Sequence, residues 1–424
     1  MFSPQSLIPF LQAHSAKAYL LAFSGGLDSH VLLHACSQLR AEWPDLNLRA
    51  IHIEHGLQAI SAQWVQHCQT VCAALNIPLQ VEYLNLTITA GQSLEAVARE
   101  ARYAAFAQHL KDGEMLLTAH HQNDQAETLL LHVMRGSGVD GLAAMPMIRP
   151  FAQGHLARPL LPFTRADLQQ YAAHYQLAYI DDPSNADNRF ERNFIRNQVM
   201  PLLKQRWVSS ETTLARVAAL QAENRELLQL LVAEKLPLVQ GTKPHTLSVK
   251  ALLTQPLALR KALIRLWLQQ LGWQAPEAKQ LNSILQDILE AKPDALPCMR
   301  IGAYELRRYR DDLYALAPLS PHDATQVLPW QDLQQALWIE SLQQAVSPCV
   351  LKCWLPLIQQ TQACVTVQFR QGGEQVSIAY RGGKRSLKHL LQDAAIPPWQ
   401  RDRLPCVYID KRLVAIIGLL ELAP

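Results

Sequence analysis

The stretch that decides the fold is Ala18 to Leu39, which reads AYLLAF, then SGGLDS, then HVLLHACSQL. An apolar run of strand character passes through a glycine turn into a helical pattern. Gly25 and Gly26 tolerate backbone angles that other residues resist, so N–H groups can approach an anion with no side chain in the way. The helix start that follows adds unpaired donors and a partial positive charge, the ingredients of a phosphate site. Ser24 and Ser29 carry hydroxyls able to donate to phosphate, whereas Asp28 faces phosphate favourably only with a cation between them, which implies Mg2+. Without a ligand, the same residues read as a Gly-Gly turn with Asp28 or Ser29 capping a helix. The strand before the turn and the helix after it favour the phosphate reading. No G-x-x-x-x-G-K-[ST] sequence occurs, so this is not a Walker A loop.

Further along, short apolar runs alternate with helical patterns, the signature of a parallel sheet wrapped by helices. Leu48–His55, Leu79–Leu84 and Glu114–His121 are the other strand candidates. In a doubly wound sheet the ligand sits beyond the carboxyl ends of the strands, where the first strand neighbours the one that opens the second half. His120 and His121 should therefore end beside Ser24–Gly26, with a helix beginning near Asp124. His120 and Asp124 become candidates for chemistry, with a strand-end histidine and an N-cap as the plain alternatives. His55 would reach the nucleotide from the other side. Arg99 and Arg102 share a face of the helix expected over Ser93–Leu110, and Arg189, Arg192 and Arg196 lie in the turn-rich segment DDPSNADNRFER and just after it. Either set could hold phosphate or simply be solvated.

The 424 residues call for more than one core. Residues 1–208 read as the α/β domain, a Rossmann-like doubly wound parallel sheet. Residues 209–317 read as mainly helical with a hairpin or meander over Cys298–Leu316, and residues 318–424 as a small α+β domain with strands at Val365–Arg370 and Val407–Ile417 and a helix at Ser386–Asp393. With 49% apolar and 18% charged residues the composition is that of an ordinary soluble protein, with no apolar run able to span a membrane. The first ten residues lack the basic segment of a secretory signal, so a cytoplasmic location is expected. The eight cysteines form no C-x-x-C pair, against a zinc ribbon or iron-sulfur cluster. From Ala345 onward ten basic residues face five acidic ones, so this segment carries +5 of a total of +3 and the remainder is −2. A nucleic-acid surface, if present, belongs there. Arg381, Lys384, Arg385 and Lys388 are its candidates, with a solvated turn as the alternative.

The run SGGLDS, HIEHGL, EAVAREARYAAF, AHHQNDQAETLLLHVMRGSGVDGL, DDPSNADNRFERNFIRNQVMPLL, and finally FRQGGE and GGKRSLKHLLQDAAIPPWQRDRLPCVY, resembles the tRNA(Ile)-lysidine synthetases. These belong to the PP-loop ATP pyrophosphatases. The resemblance is nearly full length, weakest over the helical middle. It implies that ATP adenylylates the C2 carbonyl oxygen of the wobble cytidine of a tRNA(Ile) with a CAU anticodon, releasing pyrophosphate, and that L-lysine then displaces AMP to give lysidine. By position in the matching motifs, Ser24, Gly25, Gly26, Leu27, Asp28 and Ser29 carry over as the ATP loop. Asp124, His120, Arg192, and Arg99 or Arg102 carry over as the catalytic surround. Mg2+ would be held by Asp28 or Asp124, the latter being alternatively a lysine binder or a base. Monomer and homodimer are equally compatible.

Three other readings share the loop. A tRNA 2-thiolation enzyme would want catalytic cysteines near the site. An amidotransferase like asparagine synthetase would want a cysteine at position 2, which is Phe2. A non-catalytic nucleotide-sensing RNA-binding protein would fit every motif on binding grounds alone.

Overall fold

A computed structural model describes residues 1–54, 61–84, 94–292, 295–378 and 383–422, with the backbone alone at 61, 94–95, 375–378 and 383–385. The chain divides into two compact units, Met1–Leu230 and Leu231–Pro424.

The first unit is built on six strands: β1 (Ala18–Ala22), β2 (Leu48–Glu54), β3 (Leu79–Tyr83), β4 (Glu114–Leu117), β5 (Ile148–Phe151) and β6 (Gly154–Ala157). Their order is β3-β2-β1-β4-β6-β5, all parallel except β5, which forms a hairpin with β6. The helices are α1 (Ile8–Ala13), α2 (Leu27–Leu39), α3 (Ser61–Ala74), α4 (Leu94–His109), α5 (Gln122–Met134), α6 (Val139–Leu142), α7 (Arg165–His174), α8 (Glu191–Phe194) and α9 (Met200–Arg206), with a π turn at Ile195–Val199. The boundary between the units falls inside α10 (Ser210–Lys235).

The apolar run of β1 is continuous because both faces of the sheet are covered. Leu20, Ile51, Leu116 and Leu156 pack with Phe106 and Leu110 of the α4 segment on one face. On the other, Tyr19, Leu21 and Leu117 pack with Val31, Leu32 and Ala35 of α2. The neighbours of β1 are β2 and β4, both parallel to it. This is the crossover point expected from the motif order, and it opens the crevice at the strand ends.

The strand expected to run to His121 stops at Leu117, because the chain turns there to enter α5. The β5–β6 hairpin was not among the expected strands. Gly154 marks it: a Cβ at this position would meet the Glu114 carbonyl oxygen at 2.0 Å, so only glycine lets β6 close on β4. The polar segment Asp181–Arg192, expected as a loop, holds a short turn at Pro183–Ala186, capped by Asp182, and the start of α8.

In the second unit, the segment read as mainly helical contains, ahead of the expected hairpin, β7 (Leu247–Ser248). This strand completes an antiparallel sheet with β8 (Cys298–Ile301), β9 (Tyr304–Tyr309) and β10 (Asp312–Leu316), in the order β7-β10-β9-β8. The pairing is anchored by buried Asp312, whose carboxylate accepts hydrogen bonds from the Thr242 N–H and Thr246 hydroxyl at 2.7 and 3.0 Å. A separate core around Trp354, Val367, Val407 and Val414 serves the C-terminal sheet. The single strand expected over Val407–Ile417 is a hairpin, Cys406–Ile409 and Arg412–Ile416, turning at Asp410 with φ of 53°. Aspartate tolerates that conformation better than most residues. Among the described residues no helix is long and apolar enough to cross a membrane.

Arg49 of β2 reaches past β1 to Glu114 of β4, its Nε donating to Glu114 Oε1 at 2.7 Å. Burial alone would raise the Glu114 pKa, but Arg49 and the Lys111 N–H hold it below its ordinary value of 4.5. A lowered carboxyl pKa stabilises the fold above the unfolded value and ceases to do so as pH falls through the folded one. Glu114→Gln should therefore cost on the order of 3 kcal/mol at about pH 7. Urea unfolding should show the gap to wild type shrinking below about pH 4.

Candidate functional site

The loop after β1 is held open from within. Gly25 has φ of 83°, and a Cβ there would lie 3.0 Å from Cys68 Sγ, so the turn needs glycine for both conformation and space. Gly26 caps α2 in an extended conformation. The Ser29 hydroxyl donates to the Gly26 carbonyl at 3.0 Å and accepts from the Ser24 N–H at 3.2 Å. The two serine hydroxyls lie 3.0 Å apart, so in this arrangement they brace the loop. From outside, the Ile180 N–H donates to the Gly25 carbonyl at 3.0 Å.

Asp28 projects from the first turn of α2, half-buried. Its Oδ1 is buried without a partner among the described residues, while Oδ2 lies 3.6 Å from Nε2 of His121. A buried carboxylate oxygen without a donor costs free energy unless something else satisfies it. The fit to Mg2+ rests on this atom, since Mg2+ is commonly bound by one or two carboxylates together with substrate phosphates. No group of three or more His, Cys, Asp or Glu side chains among the described residues forms a protein-only metal cage.

Opposite the loop, α5 begins at Gln122 rather than near Asp124, with His121 as its N-cap and Asp124 at the third helical position. The Asp124 Oδ2 accepts from the His121 N–H at 3.0 Å, one arm of a capping box. Its Oδ1 accepts from Arg192 at 2.8 Å and Arg196 at 3.0 Å. The same guanidiniums reach Glu127, Arg192 Nε at 2.9 Å and Arg196 Nε at 2.7 Å. Asp124 and Glu127 are three residues apart on one helical face, and Arg192 and Arg196 sit four apart around the π turn. Four charges thus form one closed cluster beside the loop.

Electrostatics follow the geometry. Burial would raise the Asp124 pKa, but His121 and Arg192 hold it far below the usual carboxylate range. Burial would lower the His121 pKa, yet Asp124 and Asp28 raise it above its ordinary value. His120 goes the other way: burial outweighs the pull of Asp124, and with Arg158, Arg192 and Arg102 nearby its imidazole falls to about 3 and stays neutral. Its Nδ1 lies 3.0 Å from the Thr118 hydroxyl. A cavity of about 240 Å3 opens beside the cluster, lined by His121, Glu127, Arg165, Arg196, Lys204 and Glu211 among others.

A PP-loop domain family matches residues 3–203, a TilS substrate binding domain residues 247–314 and a TilS substrate C-terminal domain residues 365–421. The tRNA(Ile)-lysidine synthase of Coxiella burnetii (strain RSA 493 / Nine Mile phase I) is 41% identical over 99% of this chain and 92% of its own length. That of Serratia proteamaculans (strain 568) is 42% identical over 96% and 92%. The chain belongs to the tRNA(Ile)-lysidine synthase family. Among solved structures, the U34-tRNA thiolase NcsA from Methanococcus maripaludis is 16% identical with a TM-score of 0.43, covering 51% of this chain and 76% of that one.

The family membership gives the remaining sequence candidates their context. Arg99 and Arg102 lie over the Tyr103 ring, at 5.2 and 5.8 Å from its centroid. Arg102 bears electrostatically on His120. Arg189 is exposed and paired with Asp187, outside the cluster. His55 and Arg381 lie outside the described residues, and Lys384 and Arg385 occupy the backbone of the strand Gly383–Ser386. Lys388 is exposed in the first turn of the helix Leu387–Asp393, which Ser386 caps. Sequence reasoning passed over Glu127. Its signal was the Asp-x-x-Glu spacing on α5, which puts two acids on one face and calls for cations opposite.

Removing Glu127 leaves two buried guanidiniums to one carboxylate. Glu127→Ala should cost about 3 to 5 kcal/mol, and Glu127→Gln less. Thermal unfolding with and without nucleotide checks the order of the two variants.

Proposed function

We propose that this chain ligates L-lysine to C2 of the wobble cytidine, C34, of the tRNA(Ile) with a CAU anticodon, consuming ATP and releasing pyrophosphate and AMP. The observation that carries the proposal is the orphaned Asp28 Oδ1 at a glycine turn where β1 meets α2, in a chain of this family. The C2 carbonyl oxygen attacks the α phosphorus and pyrophosphate leaves. The side-chain amine of lysine then attacks C2, and AMP departs with that oxygen as the amine loses a proton.

The loop Ser24, Gly25, Gly26, Leu27, Asp28 and Ser29 receives the triphosphate, and His55 is assigned to nucleotide binding by its place in the sequence. Mg2+, when bound at Asp28, neutralises charge between that carboxylate and the phosphates. Arg192, with Arg99 and Arg102, lies on the side where charge develops on phosphate oxygens. A neutral His120 exchanges hydrogen bonds without adding charge. For Asp124 three roles stand open by chemistry: metal ligand, lysine binder or base. A carboxylate held so far below its usual range is a poor proton acceptor at neutral pH. Both its oxygens already accept hydrogen bonds. These facts favour an orienting role, in which Asp124 holds Arg192 and Arg196.

Residues 1–208 carry the chemistry, while 209–317 and 318–424 hold the tRNA, a division supported by the ranges of the three matching families. Arg381, Lys384, Arg385 and Lys388 are assigned to the RNA backbone. The cytoplasm, where tRNA, ATP and lysine meet, is the assigned location.

Purified protein with ATP, labelled lysine and tRNA should release pyrophosphate only with the cognate tRNA and put label into RNA. Asp28→Ala should abolish both, and unchanged release would remove the loop from the mechanism. Lys388→Ala should weaken tRNA binding and flatten its log-log salt dependence by about one unit. An unaltered slope returns that residue to a solvated helix start.

A further inference from the structure

His121 occupies an unusual position. Its ring is 2% exposed, and its Nε2 stands between two carboxylates from different elements, 3.6 Å from Asp28 Oδ2 and 3.5 Å from Asp124 Oδ2. Its Nδ1 is buried with no partner among the described residues. The two carboxylates are therefore the polar engagement of the ring. An unsatisfied buried nitrogen is a cost that packing alone does not explain, since an apolar side chain of similar shape would avoid it. Two carboxylates held around one point also repel each other unless a donor lies between them.

We propose that His121 is a positioning residue: it ties the loop carboxylate Asp28 to the Asp124–Arg192–Arg196–Glu127 cluster, turning Oδ1 of Asp28 toward the magnesium and phosphate. This rests on the nucleotide reading of the loop. The backbone of His121 caps α5 and is fixed by Asp124, so the ring cannot follow Asp28 if that side chain swings away. A small apolar residue at 121 would leave Asp28 Oδ2 without this contact and free the carboxylate to rotate. The cation would then meet a less ordered ligand, while groups that do not act through Asp28 would be unaffected.

The test is the Mg2+ concentration giving half-maximal binding of a nonhydrolysable ATP analogue, measured by calorimetry on the full chain and set beside kinetics. In His121→Ala it should rise about tenfold, the loss of roughly one hydrogen bond's worth of ligand order. kcat should fall, while KM for lysine stays within about twofold. His121→Gln, which keeps an N–H donor, should recover most of the Mg2+ response. His121→Phe serves as the loss variant if the alanine form does not fold. Asp28→Ala is run in parallel. A weakened Mg2+ response in Asp28→Ala with a normal one in His121→Ala overturns the role of His121 alone. A normal response in both overturns the nucleotide reading of the loop. A variant whose melting temperature falls while its Mg2+ response stays normal marks His121 as structural and also overturns the proposal.

Discussion

The shared grip of Arg192 and Arg196 on Asp124 and Glu127 is the constraint on which the site depends. Two acids one turn apart on α5 would repel each other in a buried setting, and two guanidiniums in the same volume would do likewise. Together they neutralise one another, the Nε and Nη2 of each guanidinium donating to the two carboxylates. The favourable Coulomb energy of such a cluster is largely offset by desolvation, so its value lies less in net stability than in geometry. It fixes the start of α5 and the α8–α9 segment against each other, and through His121 it reaches the loop after β1.

The loop after β1 is braced for a complementary reason. Its hydroxyls and carbonyls are satisfied by each other and by Ile180, and its glycine sits against Cys68. Among the described residues the loop atom without a partner is a carboxylate oxygen, and that is the atom a cation would seek. Preorganisation of this kind lets a site bind charge without paying reorganisation at the moment of reaction. The neighbouring histidines show how finely position sets charge. His120, without a direct carboxylate contact, is driven neutral, whereas His121, one residue on, has its pKa raised by Asp124 and Asp28.

Much of this was legible in the order of residues. The β1 run, the glycine turn and the α2 pattern announce a phosphate site because each is a local signal: periodicity, backbone freedom and helix start. The spacing of later apolar runs predicted the parallel order around β1, and the ladder follows it. What escaped the reading was non-local or masked by composition. β7 is two residues long and is held by β10 some sixty residues later, so no periodicity betrays it. The β5–β6 hairpin is visible only once the contact of Gly154 with the Glu114 carbonyl is known.

By itself, then, the sequence determined that a strand, a glycine bend and a helix start follow one another within residues 18 to 39, because the causes lie within a few residues of one another. It also placed His120 and Asp124 in the neighbourhood through chain order, and Arg192 through the family resemblance. Only the tertiary structure decided that Glu127 and Arg196 complete the cluster, that His121 rather than His120 faces Asp28, and that Arg189 turns away to Asp187. The reason is physical: a charge run carries no mark of its partner, and which arginine meets which acid is chosen by helix phase, the π turn at Ile195–Val199 and the space left by packing.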